Sequence, residues 1–129
     1  MTTDPRVGTR VMHRRYVPFS HAHYAGNLVD GAYGLGLFGD VATDLSITLD
    51  GDEALFAGYE DVQFLAPVRA GDVVEVGAEL VHAGTRSRRM RFWLHVVARG
   101  APTADRPGAA TVLDPAVVAT TATGTVVVP

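Results

Sequence analysis

Between Leu28 and Leu45, apolar residues recur at Leu28, Val29, Ala32, Tyr33, Leu35, Leu37, Phe38, Val41, Ala42 and Leu45, nearly all round a helical wheel. A helix apolar on every side is one enclosed by other structure, not one lying on a surface. Asn27 in front of it suits an N-cap. Asp30 then falls at the third helical position, where a carboxylate fits a capping box and the positive end of the helix. Gly31, Gly34, Gly36 and Gly39 each cost about 1 kcal/mol relative to Ala in a helix interior. Close approach by a sheet or a ligand is the natural source of an offset. Asp40 and Asp44 stand one turn apart on one face of an otherwise uncharged segment. A buried carboxylate is expensive without a partner, so this pair is the first sign of chemistry.

The remainder reads as strands. Val7 to Phe19, ended by Pro18, is rich in β-branched, aromatic and Arg residues. Ser46 to Leu49 reads as a short strand and Asp50-Gly51-Asp52 as a hairpin turn. Ala54 to Ala66 follows, with a bulge or sheet edge where Glu60-Asp61 breaks its alternation. Beyond Pro67 and the Gly71-Asp72 turn, Val73 to His82 alternates Val74, Val76, Ala78 and Leu80 against Glu75 and Glu79. In Arg86 to Arg99, Met90, Phe92, Leu94 and Val96 face one way and Arg89, Arg91, Trp93 and His95 the other. Residues 100–110 read as a mobile loop, and Ala116 to Val128 as a final strand. One glycine-containing helix and several long one-faced strands are both satisfied by an antiparallel sheet wrapped around a central helix. The expectation is therefore an α+β chain, residues 1–129 forming a single hotdog domain. Its free sheet edges point to a homodimer or higher homo-oligomer, and the Trp93 face reads either as a further packing surface or as a wet sheet face.

Composition narrows the function. With 129 residues and a net charge of -3, the chain is one globular domain with no electrostatic case for nucleic acid. It has no cysteine, which removes disulfides, thiolate metal sites and a Cys nucleophile. All eleven basic residues are Arg, so no lysine Schiff base can form. His13, His82 and His95 lie on strands without ligand-type spacing, and no metal is expected. Neither a signal peptide nor an apolar membrane span is visible, so the expected location is cytoplasmic.

Four segments, AHYAGNLVDGA (22–32), LFGDVAT (37–43), DGDEALFAGY (50–59) and FLAPVRAGD (64–72), with the closing TATGTVVVP, resemble one branch of the hotdog superfamily. That branch holds the β-aminoacyl-CoA ammonia-lyases, and related dual-function thioesterases of bacterial natural-product pathways that add glycine to an α,β-unsaturated acyl thioester. The resemblance covers nearly the whole chain. It implies an acyl thioester on CoA or an acyl-carrier protein, an amine donor, and no cofactor. Two positions depart from the lyase pattern. His21 stands where the lyases carry Asp, and Asp44 where they carry Glu. The first exchange replaces an anionic group with one that can be cationic, which suits a donor bearing its own carboxylate, such as glycine.

Conjugate addition of an amine needs a base for the ammonium proton, donors for the thioester oxygen, and a proton for Cα. Backbone amides near Gly26 to Leu28 are candidates for the oxygen, being expected at the helix start. Asp40, inside an apolar helix, could have a raised pKa and act as the base. His23 or Tyr24 could handle the Cα proton, and Thr43 could position the amine or a water. Water in place of the amine would give thioester hydrolysis as a second activity. Asn27 reads as cap or substrate contact, and Asp44 as substrate contact or solvated carboxylate. Tyr59, in the family motif where the strand pattern breaks, reads as substrate contact or sheet packing. Arg86, Arg88 and Arg89 could grip a phosphate of the pantetheine carrier, or mark a solvated strand end. The alternatives are an ammonia-lyase, a simple acyl-CoA thioesterase, and a non-catalytic acyl-thioester binder.

Overall fold

The computed structural model describes residues 3–129. One helix, α1 (Gly31–Asp50), lies against a five-stranded antiparallel sheet of order β1-β5-β6-β7-β4. The strands are β1 (Arg10–Tyr16), β4 (Leu55–Phe64), β5 (Val73–Ala83), β6 (Ser87–Gly100) and β7 (Ala110–Val127). A small ribbon of β2 (Ala22–Tyr24) and β3 (Leu28–Val29) precedes the helix. This is the wrapped sheet expected from the sequence. Val74, Val76, Ala78 and Leu80 of β5 and Met90, Phe92, Leu94 and Val96 of β6 are all fully buried beneath α1. The Phe38 ring stacks on Phe92 at 5.2 Å. Among the described residues no helix is long and apolar enough to cross a membrane.

The helix departs from expectation at both ends. Gly26 and Asn27 adopt left-handed backbone (φ 71° and 61°). They turn the chain into β3, where the Val29 amide donates to the Val68 carbonyl at 2.9 Å. Asn27 therefore caps nothing; Asp30 is the N-cap, its carboxylate accepting from the Tyr33 amide at 3.1 Å. At the other end no strand forms over 46–49. The Ser46 and Thr48 hydroxyls donate back to the Ala42 and Asp44 carbonyls, and the helix continues to a left-handed Gly51 cap. The bulge at Glu60/Gln63 is present, with Asp61 at φ 54°.

The helix is not enclosed. Gly34, Phe38, Val41, Ala42, Leu45 and Ser46 are buried against the sheet, while Ala32, Gly36, Asp40, Thr43 and Ile47 line an open face. The glycines divide accordingly. A Cβ on Gly31 would meet the Phe64 ring at 2.5 Å and one on Gly34 would meet Leu94 at 3.3 Å, but Gly36 and Gly39 face open space. On the far side of the sheet Trp93 lies over Gly77, flanked by the Arg10 and Arg91 guanidiniums at 5.5 and 5.1 Å from its ring. That face is therefore partly covered by the chain's own cations.

Candidate active site

The start of α1, the β2–β3 ribbon and the 64–68 segment enclose a cavity of about 520 Å³. Its walls are mainly Leu28, Val29, Phe64, Leu65 and Leu94, with Tyr24, Asp30 and Tyr33 as polar points. A volume of that order suits a small ligand. The helix presents its first amides here: Asp30 occupies that of Tyr33, leaving Gly31 and Ala32 as the leading donors. The Gly26 to Leu28 amides, expected at the helix start, therefore precede it, because the N-cap falls at Asp30 and not at Asn27. Gly26 and Asn27 instead line a second hollow with Phe19, Arg69 and Pro107. There the Gly26 carbonyl accepts from Arg69 at 3.0 Å and the Asn27 carbonyl from the Ala70 amide at 2.9 Å.

Of the proton-handling residues, Tyr24 alone lines the 520 Å³ cavity. His23 packs edge-on against Tyr24 at 4.5 Å, its Nδ1 3.8 Å from Asp30. His21 lies against the Tyr33 ring at 4.4 Å. Asp40 and Thr43 are exposed on the open helix face, and Thr43 donates to the Gly39 carbonyl at 3.0 Å. The apolar enclosure expected for Asp40 is absent in the single chain, because the sheet covers only the opposite side of the helix. Asp40 makes no hydrogen bond or ion pair among the described residues.

Three expected contacts are engaged elsewhere. The Tyr59 hydroxyl donates to the Leu35 carbonyl at 2.6 Å and its ring packs on Phe56 at 4.4 Å, so in this chain it ties β4 to the helix; burial pushes its phenol pKa up. Arg88 is buried, giving two bonds to the Asp50 carboxylate at 2.9 Å each and two more to the Gly84 and Ser87 carbonyls. Four of its five N–H groups are taken within the protein, so in this chain Arg88 is built into the fold and not held free for the phosphate expected of it. Arg86 is exposed in the neighbouring turn, also near the C-terminal end of α1. A 20-residue helix spans about 30 Å, so both lie at the far end from the cavity. Arg89 pairs with Glu60.

Asp44 is not merely solvated. It accepts from His13 Nε2 on β1 at 2.6 Å, and His13 Nδ1 faces the Arg15 guanidinium at 3.3 Å. His13, Arg15 and Tyr33 were not singled out in the sequence as site residues. The available signal was alternation along β1, which puts 13 and 15 on one face, and helical spacing, which puts 33, 40 and 44 on one face. Burial raises the Tyr33 pKa, with Arg15 lowering it and Asp40 raising it. Tyr33 therefore stands within charge reach of both groups while lining the cavity.

A model of the thioesterase superfamily matches residues 27–95. The chain is 50% identical over 109 residues to the 3-aminobutyryl-CoA ammonia lyase of Acetoanaerobium sticklandii, spanning 84% of this chain and 85% of that one. The structure of β-alanyl-CoA:ammonia lyase from Clostridium propionicum superposes with a TM-score of 0.88 at 38% identity, covering 95% of this chain and 86% of that one. A hexameric thioesterase from Yersinia pestis shares the fold with a TM-score of 0.74 at 17% identity, over 95% and 88%.

Proposed function

The chain belongs to the thioesterase superfamily of hotdog proteins and is an enzyme of its acyl-CoA ammonia-lyase and thioesterase type, and from that premise we propose that it adds an amine, preferentially glycine, to the β-carbon of an α,β-unsaturated acyl thioester. The observation that carries this is Asp40: a carboxylate without a partner among the described residues, on an open helix face it shares with Ala32, Gly36 and Thr43. The amine attacks Cβ as free base, Asp40 having taken the ammonium proton. The electron pair of the double bond moves to the thioester oxygen, met by the Gly31 and Ala32 amides. Tyr24, with His23 behind it, returns a proton to Cα. Thr43, one turn from Asp40, orients the donor. The cavity holds the acyl chain, and the thioester is carried on CoA or an acyl-carrier protein. Water activated by the same base and attacking the thioester carbonyl carbon forms the C–O bond, expels the thiol with a proton as the C–S bond breaks, and gives the free acid as the second activity.

One chain does not complete this site. Nine residues separate Gly31 from Asp40, about 13 Å along a helix rising roughly 1.5 Å per residue. The reaction needs base and oxygen donors around one small group. A second copy, covering the open helix face with its Gly36 and Gly39, brings its own Asp40 to this cavity. The hexameric relatives from Yersinia pestis and Campylobacter jejuni support such an assembly.

The rival donor is ammonia, favoured by the names of the two similar lyases. Incubation of the protein with a crotonyl thioester and either glycine or ammonia, followed by mass, separates the readings. A glycine adduct is expected. An ammonia adduct alone makes the enzyme a lyase, and free acid alone makes it a thioesterase.

A further inference from the structure

The arginines of β1 differ in what faces them. Register sets Arg10 opposite Glu79 and Arg14 opposite Glu75, and each forms an ion pair on the outer face of the sheet. Arg15 points to the helix side, opposite Val74, where the register offers no carboxylate. Its guanidinium donates to the Arg14 carbonyl at 3.0 Å and meets His13 Nδ1 at 3.3 Å, leaving the rest of its five N–H groups without an acceptor among the described residues. A guanidinium can only donate, so the Nδ1 it meets holds a lone pair and Nε2 carries the hydrogen given to Asp44. Asp44 is therefore occupied by His13, while Asp40, one turn before it on the same helix face, keeps its charge open.

From this arrangement we infer that Arg15 binds the carboxylate of the amine donor, so that the donor is an α-amino acid held with its ammonium toward Asp40 and its carboxylate toward Arg15. The assignment rests on the glycine reading above and names the residue that selects for it. Arg15 and Asp40 both act on the Tyr33 phenol, and a cation and an anion around one such group fit a zwitterion. A phosphate in the same place would face both Asp40 and Asp44. His13 and Asp44 are positioning residues: they fix the ring that Arg15 leans on. This corrects the direct substrate contact expected of Asp44. His21, resting on Tyr33, is not required for carboxylate recognition.

The test compares glycine with glycinamide, the same amine without the carboxylate charge, as donors to a crotonyl thioester. Arg15→Gln is expected to lower kcat/KM for glycine by about tenfold or more relative to glycinamide, the size of a lost charge-assisted hydrogen bond. Arg15→Lys, which keeps the charge without the fork, is expected to fall between variant and wild type. An equal change for both donors in Arg15→Gln overturns the assignment; should that variant not fold, a wild-type donor preference in Arg15→Lys does the same. A wild-type enzyme that prefers glycine while the Arg15 variants keep that preference sinks Arg15 alone. A wild-type enzyme that adds ammonia but not glycine sinks the donor reading, and this assignment with it.

Discussion

Asp40 and Asp50 lie ten residues apart on one helix and are treated in opposite ways. Asp50 is almost buried and receives Arg88 in two bonds and Arg6 in a third. Arg88 holds its carboxyl below the ordinary value of 3.8. Asp40 faces outward with no partner among the described residues. A charge used for architecture is saturated, because an unpaired buried ion is costly. Under the proposed mechanism, a charge meant for the reaction is left open. The same contrast separates Arg88, with four of its five donors engaged, from Arg15, with most of its donors idle.

Breaking the saturated end gives the largest expected loss. Arg88→Ala strands Asp50 and is expected to cost about 3 kcal/mol or more of stability, read from denaturant unfolding. If it unfolds nothing and instead raises KM for the thioester, Arg88 is a substrate contact after all. Gly77→Val places a Cβ about where the Trp93 ring now lies, 2.1 Å away. It is expected to cost about 1–3 kcal/mol by overpacking, again by denaturant. Tyr59→Phe removes one half-buried hydrogen bond to Leu35 and is expected to cost about 1 kcal/mol. A loss of turnover at unchanged stability would return Tyr59 to the substrate. The pH dependence sharpens the comparison further. Because the Asp50 pKa is lowered on folding, its contribution is full above pH 3.8 and is lost as pH falls through the lower folded value. Unfolding at stepped pH should show that loss in the wild type, and a smaller one in Arg88→Ala. Glu60→Gln, which breaks an exposed pair with Arg89, should leave the melting temperature unmoved.

The fold was legible because β5 and β6, which pack on the helix, keep a strict period of two across their buried hydrophobic residues. Val74 to Leu80 and Met90 to Val96 could face only one core. The helix boundaries were not, because Asn27 and Ser46 each had a local alternative. Asn27 tolerates left-handed backbone and served a turn, and Ser46 bonds back within the helix, where a strand former was expected. An apolar wheel points to a helix enclosed by other structure, whereas the sheet of this chain covers only one side of it. Asp40 was visible as a misplaced charge. Its neighbours on β1 were not, since contact between residues 13 and 44 depends on the sheet curling its edge over the helix. The Arg88–Asp50 pair was hidden for the same reason: two charges distant in sequence reveal nothing of their saturation until they meet.

The sharpest measurement sets Asp40→Asn beside Asp50→Asn in one pair of assays, glycine addition to a crotonyl thioester and thermal unfolding. Asp40→Asn is expected to lose about a hundredfold or more in rate at an unchanged melting temperature, while Asp50→Asn loses stability and keeps its rate at temperatures where it is folded. Addition by Asp40→Asn at the wild-type rate would contradict the division of labour along this helix and remove Asp40 from the chemistry.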